Sequence, residues 1–258
     1  MTDRPANGGG TARGPSREAF VAPRPRRFYK AVAVAPDGES FVLALDGRPV
    51  RTPGKNVLSL PTRALADAIA AEWEAQREEI LADTMPLTRL ANTVIDGVTG
   101  KEAAVRADIV AFAGSDLVCY RAGSPEGLVA AQSQAWDPVL AWTRDELGAD
   151  FLTAEGIMHV TQPEASLARV AQELAGLHAW QITPLHQITT LTGSALIALA
   201  HLKGAIALDA GWRAAHVDED WQILQWGEDA EARMRRDQRW RDIEAASRLL
   251  DLIQPSAS

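Results

Sequence analysis

Two observations predict an α+β fold, with a small β-rich part first and a larger all-helical part after it. Residues 28–60 read FYKAVAVAPDGESFVLALDGRPVRTPGKNVLSL, β-favouring runs broken by Pro36-Asp37-Gly38, Asp46-Gly47 and Pro53-Gly54. Those breaks supply turn geometry between antiparallel strands. After Pro61 the apolar residues recur at helical spacing instead. A hydrophobic fraction of 47% and a charged fraction of 23% are ordinary globular usage, and 258 residues suffice to bury a substantial core.

Residues 1–27 carry six arginines and four prolines around Gly8–Gly10, with only Asp3 and Glu18 opposing them, and show no apolar periodicity. They are expected to be a disordered tail rather than an organelle leader, which would be amphipathic and acid-poor. Residues 28–84 follow as a β-rich domain of about four short strands and one helix. That helix starts after a Thr62 cap and carries Leu65, Ile69 and Trp73 on one stripe. Trp73 is therefore expected in the core.

Residues 85–258 form the helical domain. MPLTRLANTVIDGV and KEAAVRADIVAFAG read as helices ending near glycines that suit C-caps. DLVCYR reads as a short strand, Pro125 to Leu147 as a helix, and GIMHVTQ as an extended piece. Helices are expected over 163–180 and about 184–203, and the last 40 residues read as one long helix bent at Gly227.

A net charge of -8 argues against binding to nucleic-acid backbones, which is carried by clustered cations. No apolar run reaches the roughly 20 residues needed to span a bilayer, so no membrane insertion is expected. Cys119 is the one cysteine, which forbids an internal disulfide and fits a reducing compartment; buried beside Val118 and Tyr120, it is expected to be inert. Phosphate loops, HExxH and GxSxG are missing, so neither a nucleotide cofactor nor a metal is expected. His178, His186 and His201 read as hydrogen-bonded structural histidines.

The stretch HVDEDWQILQWGEDAEARMRRDQRW, residues 216–240, holds seven carboxylates and three tryptophans. Adjacent residues on a helix point about 100° apart, so Asp218, Glu219 and Asp220 cannot easily converge on one ion. Taken as a single helix over 217–234, it carries two apolar stripes. Val217, Trp221 and Leu224 share one, and Ile223, Trp226, Ala230 and Met234 the other, with Glu219 on the second. Only one stripe can be satisfied within a domain unless the helix is sandwiched, so the other is a candidate contact surface. The arginines of ARMRRDQRW are simplest as i+4 partners of nearby acids. Glu219 with Asp229 as hydrolytic acids would lie roughly 15 Å apart along such a helix, too far for a retaining glycosidase pair. A homo-oligomerisation module is the other alternative.

RRFYK, LDGRPVRTP, LADAIAAEWEAQ, MPLTRLANT, DLVCYR, WDPVLAW, GSALIALA and DEDWQILQWGEDAEA, in this order, resemble the family of assembly chaperones for the F1 sector of ATP synthase that act on the α subunit in mitochondria and α-proteobacteria. The resemblance runs from about residue 26 to 250. It implies a protein that is not an enzyme, a monomer when free, placed in the bacterial cytoplasm or the mitochondrial matrix, whose partner is the unassembled F1-ATPase α subunit. It puts the acidic position of the DExWQ motif on Glu219. Gln222, Trp226 and Asp229 are then further partner-binding candidates, while Trp73, Arg89, Asn92 and Trp221 match motifs with structural roles.

Overall fold

The computed structural model describes residues 25–156 and 158–254. Residues 1–24 of the expected tail lie outside the described residues. Its last three do not behave as tail: Arg26 bridges Glu79, Arg27 N donates to the Glu78 carbonyl at 2.9 Å, and Ile80 N donates to the Pro25 carbonyl at 2.8 Å.

Four strands form as expected. β1 (Val32–Asp37) and β2 (Ser40–Leu45) pair antiparallel from Val32 opposite Leu45 to Asp37 opposite Ser40, and Gly38, at φ +62, closes their turn. β3 (Arg48–Pro49) pairs with the C-terminal end of β2, and β4 (Ser59–Leu60) with its N-terminal end. Leu43 and Leu45 alternate onto the buried face, against α1 (Arg63–Glu74). Thr62 caps α1 by accepting from Leu65 N, and its hydroxyl donates to the Leu252 carbonyl at 2.6 Å.

Leu65 and Ile69 are fully buried, but Trp73, expected in the core, is only half-buried at its edge. α1 ends one residue later, so the ring leans on Tyr29, with centroids 5.6 Å apart, while the Tyr29 hydroxyl donates to the Trp73 carbonyl at 2.7 Å. Trp73→Arg removes that contact and puts a charge beside it. It is expected to cost about 2 kcal/mol, read from the urea midpoint.

The sheet and the helices share one hydrophobic cluster, running from Tyr29 to Leu250. Glu72 on α1 accepts from Leu87 N and Thr88 N, each at 2.8 Å, and so caps α2 (Pro86–Thr93). Burial raises the Glu72 carboxyl above its usual range, with those hydrogen bonds opposing. A π-helical turn (Val94–Val98) follows, where Asp96 accepts from the Thr52 hydroxyl and Gly54 N, both at 2.7 Å, and from Asn56 at 2.9 Å. These bonds hold the Asp96 carboxyl below its usual range. A Cβ on Gly54 would lie 2.6 Å from the Asp96 carboxylate, so the β3–β4 loop needs glycine there. On α2, Arg89 pairs with Asp242 from the end of the chain, and Asn92 is half-buried.

α3 (Glu102–Gly114) leads to a 3-10 turn (Leu117–Cys119) and then β5 (Tyr120–Arg121). Only the last two residues of DLVCYR are strand, because Asp116 caps the preceding turn by accepting from Val118 N at 3.3 Å. Asp116 also accepts from Leu196 N; its complete burial pushes its carboxyl up to about 6. Cys119 is buried, with its thiol pushed up to about 12 by burial first and then by Asp116. α4 (Glu126–Leu147) ends at Gly148, at φ +62. Pairing with β5 falls on β6 (Ala154–Glu155), just ahead of the expected GIMHVTQ segment; Ile157 within that segment is outside the described residues.

The expected helices over 163–180 and 184–203 are divided differently, into α5 (Glu164–Leu174), α6 (Ala179–Thr192) and α7 (Ala195–Leu202). His178 and Gln181 form a capping box that starts α6 upstream of Pro184, and Gly193, at φ +69, ends it. His186 pairs with Asp108 at 2.6 Å, and His201 bonds the Ile206 carbonyl and the Ser247 hydroxyl.

The expected long C-terminal helix is three helices: α8 (Leu208–Ala215), α9 (Val217–Trp226) and α10 (Ala230–Leu252). Gly227 takes φ +84 and ψ 170, outside any helix, and Asp229 opens α10 by accepting from Ala232 N at 3.0 Å. The second half of α10 packs on α6, burying Ile243, Leu249 and Leu250. No helix of the described residues is long and apolar enough to cross a membrane.

Candidate functional site: a cleft between two C-terminal helices

The break at Gly227 folds the chain back, so α9 and the exposed first half of α10 form a helical hairpin. One flank of α9 is fixed to α4. Gln132 donates to the Asp218 carboxylate at 2.7 Å, and just ahead of α9 Trp136 donates its indole N–H to the Ala214 carbonyl of α8 at 2.6 Å. Trp221 lies over Gly127, where an added Cβ would meet the ring at 2.4 Å. Of the first expected stripe, Val217 is buried and Trp221 half-buried, while Leu224 is 78% exposed.

Gly127→Ala forces that ring off α4. Helix propensity gains up to about 1 kcal/mol from the same change. The expected result is faster amide hydrogen exchange along α9 with little change in the global melt; unaltered exchange would show that the ring is not what seats the helix.

The other flank of α9 faces α10 across a cleft of about 450 Å³. Glu219, Gln222 and Trp226 line it from α9, Asp229 from the turn, and Arg235, Arg236 and Arg239 from α10. The four partner-binding candidates thus share one concavity, together with half-buried Ile223. Trp226 is 79% exposed and Met234 65%. The single-helix geometry that put Ala230 and Met234 on the Glu219 stripe does not hold, because both belong to α10, beyond the break, and neither lines the cleft.

Charges around the cleft pair both along the chain and across the hairpin. Arg235 pairs with Glu231 four residues back at 2.5 Å, as expected, but Arg236 reaches Asp220 on α9 at 2.5 Å and Arg239 approaches Glu219 at 3.9 Å. Arg233 pairs locally with Glu228, five residues back in the turn after Gly227. The Asp220 pairing raises the Arg236 guanidinium above its usual value. Exposed pairs of this kind contribute about 0–1 kcal/mol each, so they orient the hairpin rather than lock it.

Glu219 is half-exposed, and its two nearest cationic or ionisable neighbours, Arg239 and His216, both stand at 3.9 Å. It is a carboxylate with loose counterions beside an exposed indole. Asp229 is occupied as the cap of α10, which takes the second acid away from a Glu219–Asp229 hydrolytic pair. Among the described residues no three His, Cys, Asp or Glu side chains gather where an ion could sit. The sequence reading passed over His216, Arg236 and Arg239 as parts of this site. The contacts of Arg236 and Arg239 to Asp220 and Glu219 cross a chain reversal that a single-helix projection hides, whereas His216 lies three residues ahead of Glu219 and matters through its burial.

The profile of the ATP12 chaperone protein family matches residues 26–144. The crystal structure of the Atu1473 protein of Agrobacterium tumefaciens superposes with a TM-score of 0.86 at 47% identity, over 89% of this chain and 87% of that one. Atp12 of Paracoccus denitrificans superposes with a TM-score of 0.84 at 38% identity, over 89% and 99% of the two chains. Mitochondrial protein atp12 of Schizosaccharomyces pombe is 22% identical over 214 residues, 78% of this chain and 74% of that one.

Proposed function

This chain belongs to the ATP12 chaperone family, and from that membership we propose that it binds the unassembled α subunit of the F1 sector of ATP synthase until β displaces it. The observation that supports this most is the cleft, where Glu219, Gln222, Trp226 and Asp229 stand together around an exposed tryptophan.

An unassembled subunit of an obligate oligomer exposes a large apolar face that aggregates unless it is covered. A cover that must later leave needs anchors without a permanent grip. Trp226 supplies apolar area, and Glu219 supplies a charge whose present partners are too loose to compete strongly. The role involves no catalysis or cofactor, only binding and release. The free protein works as a monomer, in the compartment where F1 assembles, bacterial cytoplasm or mitochondrial matrix.

Co-expression with α and with β separately, followed by size-exclusion chromatography, tests the reading. A complex with α and none with β is expected. A complex with β alone, or a stable self-oligomer that ignores α, would overturn it.

A further inference from the structure

His216, at the corner between α8 and α9, is 3% exposed. Its Nδ1–H donates to the Trp212 carbonyl at 2.8 Å, and its ring lies against the Trp212 ring at 3.8 Å, which is in turn 5.5 Å from Trp240. With the proton on Nδ1, Nε2 carries a lone pair. Among the described residues that atom is buried without a hydrogen-bond partner, and it stands 3.9 Å from the Glu219 carboxylate. Two acceptors therefore face each other. A buried polar atom left this way is costly, and no feature of the fold's stability calls for it.

The structure assigns His216 a positioning role, which rests on the reading of Glu219 as a contact for α: neutral His216 keeps the Glu219 carboxylate turned out into the cleft, and protonated His216 draws it in. The lone pair on Nε2 offers the carboxylate nothing, so Glu219 stays half-exposed with Arg239 as a distant counterion. Adding a proton makes Nε2–H a charged donor beside the carboxylate, a bond stronger than either present contact. The partner group that Glu219 receives is then a cationic side chain of α, arginine or lysine, which competes with that inward bond.

The charged groups acting on His216 are Glu219 from α9, which favours its protonation, and Arg236 and Arg239 from α10, which oppose it; α8 contributes the neutral Trp212. Burial dominates and holds the imidazole below its usual value. Capture is therefore fully present above about pH 6.5, the unperturbed value for histidine, and weakens as pH falls through the lower value of the folded protein.

The test measures capture of α by the full chain between pH 8 and pH 5.5, with circular dichroism at each pH to confirm folding. Wild type should lose on the order of fivefold, the worth of one such ion pair. His216→Asn keeps a donor for the Trp212 carbonyl and removes Nε2, and it should flatten the profile. His216→Gln places a permanent N–H near Nε2, and it should give a flat profile at a weak level. If wild type and His216→Asn fall in parallel, the role is overturned.

A measurement on the free chain separates this from the chaperone reading. The imidazole ¹⁵N shifts of His216 report its titration, which should move to lower pH in Glu219→Gln. An unmoved titration overturns the inference even where α is captured. A moved titration with no capture of α at any pH leaves the coupling standing and removes the chaperone reading instead.

Discussion

Glu219→Lys should reduce capture of α by at least about tenfold, the effect of replacing an attractive contact by a repulsive one worth on the order of 1–2 kcal/mol. The melt should stay within about 3 °C of wild type, because Glu219 is half-exposed and its ion contacts are long. A lysine there adds a fourth cation beside Arg235, Arg236 and Arg239, which disturbs the cleft locally without touching the core. Glu219→Gln separates charge from shape. Pull-down with tagged α reads both variants, and wild-type capture by Glu219→Lys would remove this residue from the site.

Trp136→Ala is expected to have the largest effect on stability, about 3–5 kcal/mol. The ring is 1% exposed, its N–H satisfies the Ala214 carbonyl, and the Arg121 guanidinium sits 5.2 Å above it. Truncation leaves a cavity under α8, an unpaired carbonyl, and an arginine whose remaining anchors are the Val118 carbonyl and Asp137. Trp136→Phe retains most of the packing and loses the hydrogen bond, for about 1–2 kcal/mol. Urea denaturation measures both. Equal midpoints for Trp136→Ala and wild type would mean that α4 does not support the corner carrying α9.

The strands and most helices were legible because their signals are local. Asp46-Gly47 and Pro36-Asp37-Gly38 dictate turns between neighbours, and Thr62 caps the helix it precedes. Errors gathered where one local signal overrode another. The boundary expected between residues 180 and 184 falls inside α6, because the capping box at His178 and Gln181 has already begun that helix. Gly227 looked like a bend inside a helix, whereas its left-handed backbone and the Asp229 cap end one helix and begin the next.

For the cleft, the residues of interest were readable from their motif, but their grouping was not. Glu219 and Asp229 belong together only because the chain reverses between them. Gln132 and Asp218, 86 positions apart, are joined by packing that no spacing rule could indicate. His216 carries no signal in the sequence, since burial, which makes its Nε2 significant, is a property of the folded chain.

The hydrogen bonds that Pro25 accepts from Ile80 and Arg27 donates to Glu78 bear on how this protein is handled at the bench. Arg27 also reaches the Gln76 carbonyl, and Gln76 in turn accepts from Leu81 N, so the segment leaving α1 is laced to the first described residues. A shortened version beginning at Pro25 retains every one of these ties. One beginning at Phe28 discards them and unpins the segment that leads into α2. Any trimming must therefore spare Pro25 and Arg27, which lie a few residues upstream of where the run of β-favouring residues alone would have put the boundary.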